Sequence, residues 1–334
     1  MPELRQNIIT GDWVVIAPER AKRPQDFIVP TSQVNTNKDN CPFCEGTVGY
    51  KSNQKIRSAS TENFYVIENK FPAFVESEDK ASVRSFYPEK GFYRARAAIG
   101  DHEVVISKHH DLNLMTFSKT MMMEMFEIFC ARYDAIKKDK SIVSIMPIYN
   151  HGVEAGASVS HPHAQIFASG IIANTVGREL SGAEKYYGIN GSCVFCDIID
   201  HERHEKVRIV EENADYLATT FYASRFPLET WVYPKRHDSQ FENTPKKELK
   251  NLADIMHNVL QRLERNIPRM PLNFYIHTLP TIHDKSNSYH WHLEIVPRLA
   301  NYGGYEIGSG VIIDVLSPEA AAEYLRKGGS SGRG

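Results

Sequence analysis

No apolar run in this chain approaches the ~18 residues of a membrane-spanning helix, which excludes a span of that kind. Charge of one sign is missing too, the net value being −2 over 334 residues. That balance removes the electrostatic case for nucleic acid or an anionic membrane as the main partner. The opening Met1-Pro2-Glu3-Leu4-Arg5 lacks the apolar core of a signal peptide, which predicts a cytoplasmic protein. Cysteine is scarce, at five residues. Cys130 stands alone in an apolar helical segment and reads as a core residue. The other four form two Cys-x-x-Cys pairs, Cys41/Cys44 and Cys193/Cys196. In a chain with no sign of export such pairs read as metal ligands or redox pairs rather than structural disulfides.

What is present is ordinary in bulk and unusual in arrangement. Hydrophobic residues make up 42% and charged residues 24%, enough for a sizeable core in two domains or two similar halves. The chain repeats itself. Cys41-Pro42-Phe43-Cys44 is followed by an apolar run ending His109-His110-Asp111, a helical stretch and His161-Pro162-His163. Cys193-Val194-Phe195-Cys196 is followed by an apolar run ending His237-Asp238, a helical stretch and His290-Trp291-His292. The interval from His110 to His161 is 51 residues and that from His237 to His290 is 53. We read this as a duplicated module, with halves over 1–182 and 183–326 and a flexible tail over 327–334.

Ser118 is placed to cap a helix whose apolar stripe includes Met121, Met125, Phe126, Phe129 and Tyr133. Thr244-Pro245 offers a cap and a first-turn proline before Leu249, Leu252, Met256, Val259, Leu260 and Leu263. β-rich runs flank both helices. The expected fold is α+β: two similar halves, each an antiparallel sheet with a crossing helix.

Tetrahedral zinc takes four N/S ligands, of which a Cys-x-x-Cys turn supplies two. The repeat supplies the others, giving Cys41, Cys44, His110 and His161 at one site and Cys193, Cys196, His237 and His290 at a second. His110 is preferred over His109 because its His-Asp pair is matched by His237-Asp238. In an extended segment, residues two apart share a face, so His161, His163 and Gln165 are expected to project together. With His161 committed to metal, His163 is free as a nucleophile toward phosphorus. Gln165 can donate an amide hydrogen bond to a phosphoryl oxygen. Gly156 and Ser158 allow donors to approach a phosphate, and Arg20, Lys22 and Arg23 offer cations.

The run Asp12 to Pro24, Cys41-Pro42-Phe43-Cys44, Asn69-Lys70-Phe71-Pro72-Ala73, Asn150 to Gln165 and Gly304-Tyr305-Glu306 carry a resemblance that runs nearly end to end. On them the chain resembles the galactose-1-phosphate uridylyltransferase family of the histidine-triad superfamily. The resemblance implies two histidine-triad-like halves and a ping-pong transfer. His163 would take a nucleoside monophosphate, UMP by preference, from a nucleotide sugar and pass it to hexose 1-phosphate. Histidine-triad hydrolases carry a third histidine where Gln165 stands, a difference that favours transfer over hydrolysis. The resemblance further implies that Arg20, Arg23, Asn150, Gly156, Ser158 and Gln165 hold the phosphates. Asn69 and Phe71 would lie near the base, and Tyr305 and Glu306 near the hexose of a homodimer's shared site. Some relatives hold iron at a second site, through residues matching Glu179, His277, His290 and His292; Cys193 and Cys196 favour zinc. The chain is also similar to plant-type ADP-glucose phosphorylase in its Glu306-Ile307-Gly308-Ser309-Gly310 run. That likeness leaves adenosine and orthophosphate open as base and acceptor, with a dinucleoside polyphosphate phosphorylase as a further form of the same alternative.

Overall fold

In a computed structural model of the protein, residues 1–22, 38–47, 56–57, 59–76, 92–93, 95 and 97–327 are described. Arg23 and nearly all of the predicted tail lie outside the described residues. The chain begins with strands β1 (Glu3–Gln6) and β2 (Trp13–Ile16), then β3 (Ile56–Arg57), β4 (Phe64–Glu68) and β5 (Gly100–Ser107). Helix α1 (Lys119–Ile136) leads to β6 (Ser144–His151) and β7 (His163–Ser169). Helices α2 (Asn174–Asn190) and α3 (Val194–Glu205) precede β8 (Ile209–Glu212), β9 (Tyr216–Thr220) and β10 (Thr230–Pro234). Helix α4 (Lys246–Asn266) leads to β11 (Leu272–His277) and β12 (His292–Pro297). The described chain ends with α5 (Gly304–Ser309), β13 (Ile312–Asp314) and α6 (Pro318–Lys327).

The duplication is visible in the strand order. The halves contribute β3-β4-β5-β7-β6 and β11-β12-β10-β9-β8, the same five-strand unit turned end for end. Each is the antiparallel sheet with a crossing helix that the sequence predicts. In addition β6 and β11, the edge of each unit, pair antiparallel from Leu272↔His151 to Tyr275↔Ile148 and join both units into one ten-stranded sheet. An unpaired edge exposes a row of N–H and C=O groups, and pairing the edges satisfies them. A second sheet of three strands, β1-β2-β13, brings the beginning of the chain against residues 312–314. Arg5 on β1 also reaches Glu319 on α6 at 2.9 Å.

Helix α1 starts as expected, with Ser118 Oγ accepting the Met121 N–H at 3.2 Å. Helix α4 starts one residue later than expected. Pro245 is its cap, because the Thr244 hydroxyl is donated to Phe241 O at 2.6 Å and closes the preceding turn. Both helices lie on one face of the sheet. Met125, Phe126, Phe129 and Tyr133 of α1 share a core with Leu252, Met256, Val259 and Leu260 of α4. Val105, Ala164, Ile166, Phe274, Leu293 and Ile295 line the sheet beneath them. One core serves both halves, and Tyr133 donates across it to Leu279 O at 3.0 Å.

Two buried acids set testable properties of this scaffold. Glu103 on β5 is fully buried and held by both ends of the Arg132 guanidinium on α1, at 2.7 and 2.5 Å. Arg132→Met would remove this buried ion pair and is expected to cost about 3–5 kcal/mol in urea unfolding, with much of the loss recovered by adding Glu103→Gln. Burial pushes the Asp314 carboxyl up to about 7, against the Ser224 hydroxyl that donates to it. The stability of its protonated form is complete below the ordinary carboxyl pKa near 4 and is lost as pH rises through about 7. Asp314→Asn should therefore gain stability over the unaltered chain between pH 4 and 8, by about 2–4 kcal/mol at the upper end, read from thermal melts.

Candidate active site and metal-ligand clusters

Side chains alternate across a strand, so each sheet residue faces either α1 and α4 or the opposite side. Residues directly across a ladder share a face. Ile106 pairs with His163, Val104 with Gln165 and His102 with Phe167. On the other flank Ile148 pairs with Gln165, and one step along that register brings Asn150 beside His163. Asn273 then lies beside Asn150, and His277 opposite His292. The histidines and amides thus share the face turned away from the two long helices. The expectation that His161 joins them fails in one respect. β7 begins at His163, so His161 lies just before the strand and turns into a separate cluster. Pro162, which has no N–H to give a ladder, separates the two.

Four donor atoms converge in that cluster. Cys44 Sγ is 3.2 Å from His110 Nδ1 and 3.4 Å from His161 Nδ1, and Cys41 Sγ is 3.4 Å from His161 Nδ1. Tetrahedral bonds of ~2.0–2.3 Å place ligand atoms roughly 3.3–3.8 Å apart, so the set fits one ion. His161 Nε2–H donates to Ser107 O at 2.6 Å, which leaves Nδ1 as the ligating lone pair. Burial lowers the His161 pKa to about 4, favouring the neutral form that ligation requires. His109 turns away, to Asn63 Oδ1 at 2.9 Å.

The second half repeats the arrangement. Cys193, Cys196, His237 and His290 converge, with Cys196 Sγ 3.3 Å from His237 Nδ1 and 3.6 Å from His290 Nδ1. Each imidazole gives its other nitrogen to a carbonyl, His290 to Pro234 O at 2.9 Å and His237 to Ser286 O at 3.0 Å. The set expected as an alternative, Glu179, His277, His290 and His292, does not assemble as such. His290 belongs to the cysteine cluster, and Glu294 joins Glu179, His277 and His292 in a third group that could hold a cation. The two sets are neighbours, because His290 precedes β12 as His161 precedes β7. Burial alone would raise the Glu179 carboxyl, but His277 at 3.0 Å holds it below the ordinary value. Arg225 and the Tyr275 hydroxyl bind the other oxygen of Glu294.

His163 is buried, with Phe43 5.4 Å from its ring. Its Nδ1–H donates to His161 O at 2.8 Å, so Nε2 carries the free lone pair. Burial lowers its pKa and keeps that lone pair available. Gln165 Oε1 lies 2.8 Å from His102 Nε2, and Asn69 Nδ2 lies 3.1 Å from the same nitrogen. Phe71 is exposed beside Asn69, which accepts its N–H. Asn150 Oδ1 and Ala155 O are both bound by Asn273 Nδ2 at 2.7 Å. This holds the turn to Gly156, whose φ of +85° suits glycine. Gly156 and Ser158 are exposed on the loop between β6 and β7, and Arg20 is exposed near the start of the chain. Tyr305 and Glu306 lie on exposed α5, where Glu306 accepts the Gly303 N–H. Among the described residues no hydrogen bond joins either to His163 or Gln165.

Sequence reasoning missed His102, Asn273, Arg225 and Tyr275. Only polar residues at alternate positions of apolar strands could have flagged the first two.

Models of the galactose-1-phosphate uridyl transferase N-terminal and C-terminal domains match residues 1–173 and 179–327. The chain belongs to this family. The galactose-1-phosphate uridyl transferase family comprises transferases acting on nucleotide sugars, and its two domains meet near the boundary between the repeats. ADP-glucose phosphorylase of Arabidopsis thaliana is 32% identical over 333 residues, 98% of this chain and 93% of that one. Its crystal structure with bound ADP-glucose matches with a TM-score of 0.81 at 29% identity, covering 98% of this chain and 99% of the other. Galactose-1-phosphate uridylyltransferase of Thermotoga maritima is 27% identical over 336 residues, 98% of both chains. No helix among the described residues is long and apolar enough to cross a membrane.

Proposed function

We propose that the chain transfers a nucleoside monophosphate, UMP by preference, from a nucleotide sugar to hexose 1-phosphate through a covalent nucleotidyl-His163. The observation that carries this is the His163 imidazole, neutral and with Nε2 unprotonated because Nδ1–H is given to His161 O. In the first step the Nε2 lone pair attacks the α-phosphorus. A P–N bond forms, and the P–O bond to the sugar phosphate breaks with its electrons on the departing oxygen. The positive charge left on the ring is shared with the His161 carbonyl. In the second step a phosphate oxygen of the acceptor attacks, the P–N bond breaks and His163 returns to its neutral form.

Gln165, on the same face, donates from its amide to a non-bridging oxygen as charge builds there. An amide cannot shuttle a proton to or from water, which favours transfer. Asn150, Gly156 and Ser158 flank the phosphates, with Arg20 and Arg23 as cations. Asn69 and Phe71 line the base side. Tyr305 and Glu306 serve the hexose across a homodimer, a reading supported by the exposed Tyr305 ring and the half-buried Glu306 on α5.

We assign zinc to both cysteine clusters, since thiolate and imidazole donors at these spacings suit it. Bound there, zinc ties the Cys-x-x-Cys turn to the residue before the catalytic strand and so steadies His163. Iron at the second site is disfavoured by the commitment of His290 to Cys196. A cytoplasmic location fits this chemistry.

A second reading, ADP-glucose phosphorylase with orthophosphate as acceptor, is favoured by the likeness to the Arabidopsis enzyme over 98% of the chain. Mass spectrometry after mixing the protein with UDP-glucose and ADP-glucose should show a uridylyl adduct on His163, discharged by galactose 1-phosphate. An adenylyl adduct discharged by phosphate alone would replace the first reading with the second. His163→Gly should stay folded, form no adduct and lose on the order of 10⁴-fold or more in turnover; an adduct that survives would remove His163 from this role. Metal analysis should find two zinc ions per chain, with Cys44→Ser and Cys196→Ser each losing one.

A further inference from the structure

We propose that His102 is a positioning residue for the transfer, locking the Gln165 amide so that its NH₂ group, not its carbonyl, faces the phosphate. The proposal rests on the His163 chemistry above and goes beyond it. A glutamine amide is nearly symmetric in shape, and a half-turn about its last bond exchanges a donor for an acceptor. Against an anionic phosphoryl oxygen the donor attracts and the carbonyl repels. Something must choose between them. The residues directly across the ladder from Gln165 are Val104 and Ile148, neither of which can orient an amide.

His102, diagonally placed on β5, can. Its ring is buried and stacked on Phe167 at 3.9 Å between centroids, which fixes its plane. The backbone N–H of Ala73 points at Nδ1 at 3.2 Å, so Nδ1 must be the lone pair and Nε2 must carry the proton. Burial lowers the His102 pKa and keeps the ring in this neutral form. The proton on Nε2 is then donated to Gln165 Oε1 at 2.8 Å. With Oε1 held, the Gln165 NH₂ group is turned the other way. The orientation is thus set by a relay, from a backbone N–H through one imidazole to the amide. The same histidine also accepts the Asn69 N–H at its own carbonyl, 2.8 Å away, and Asn69 Nδ2 lies 3.1 Å from Nε2, a donor-to-donor contact once Nε2 carries the proton. Segment 69–73 is therefore tied to Gln165 through this one ring.

The test compares His102→Phe, which keeps a ring on Phe167 but removes both hydrogen bonds, with His102→Gln, whose amide can accept from Ala73 and donate to Gln165. Single-turnover formation of nucleotidyl-His163 should slow ~10–100-fold in His102→Phe, with nucleotide-sugar binding changed less than about threefold, and His102→Gln should recover most of the rate. In a Gln165→Ala background His102→Phe should slow the step far less than it does alone, since its effect on the transfer runs mainly through that amide. Nitrogen-15 NMR of the unaltered protein should show His102 protonated at Nε2. Independent, multiplicative losses in the double variant, or a ring protonated at Nδ1, would overturn the role of His102 alone. Absence of any adduct in the unaltered protein would remove the His163 chemistry and this proposal together, an outcome the other two do not produce.

Discussion

The pairing of β6 with β11 is the interaction on which the rest depends. It turns two five-strand units into one sheet, and a continuous sheet has two continuous faces. α1 and α4 can then share a core on one face, where Phe126, Leu252, Ile166 and Leu293 meet without regard to which half supplied them. On the other face, Asn273 of the second half reaches across the joint to Asn150 and the Ala155 carbonyl. The loop that carries Gly156 and Ser158 is thus braced by a residue from the opposite repeat. The chemistry of the first half is not a property of the first half alone.

The repeats keep the same local device and surround it differently. His163 Nδ1 faces His161 O at 2.8 Å, and His292 Nδ1 faces His290 O at 3.2 Å. Each has a phenylalanine of its Cys-x-Phe-Cys turn nearby, Phe43 at 5.4 Å and Phe195 at 5.1 Å. Beyond that they part. α2 brings Glu179 over His277 and His292, while Phe195, Trp231 and Tyr289 close in, so the second copy is sealed in a dense ionic group. Over the first copy, the described residues leave a loop, the 69–73 segment and the amide of Gln165. Glu294, in the place of Gln165, is bound by Arg225 and Tyr275 and has become part of the interior. Among the described residues the two copies of one device are thus enclosed by different side chains.

Much of the site was legible because its chemistry is written in short spacings. A Cys-x-x-Cys turn and histidines repeated at matching intervals name their own partners, and both cysteine clusters assemble from those residues. The helices over 119–136 and 246–266 were legible from their apolar stripes. The mistaken details have local causes: Pro162 delays the start of β7, and the Thr244 hydroxyl is spent on the preceding turn.

The sequence by itself determined the duplication, the residues of the two cysteine clusters, the two long helices and which histidine is left over once His161 is placed in a cluster. These depend on residue type and short-range periodicity, which a chain carries before it folds. Only the tertiary structure decided that the halves form one sheet, that His290 and Glu294 divide between neighbouring clusters, and that His102 meets Gln165 and Asn273 meets Asn150. Those relations are set by strand register and by which face each helix covers. No spacing along the chain encodes them, because residues such as Asn150 and Asn273 are joined only when the two edges meet.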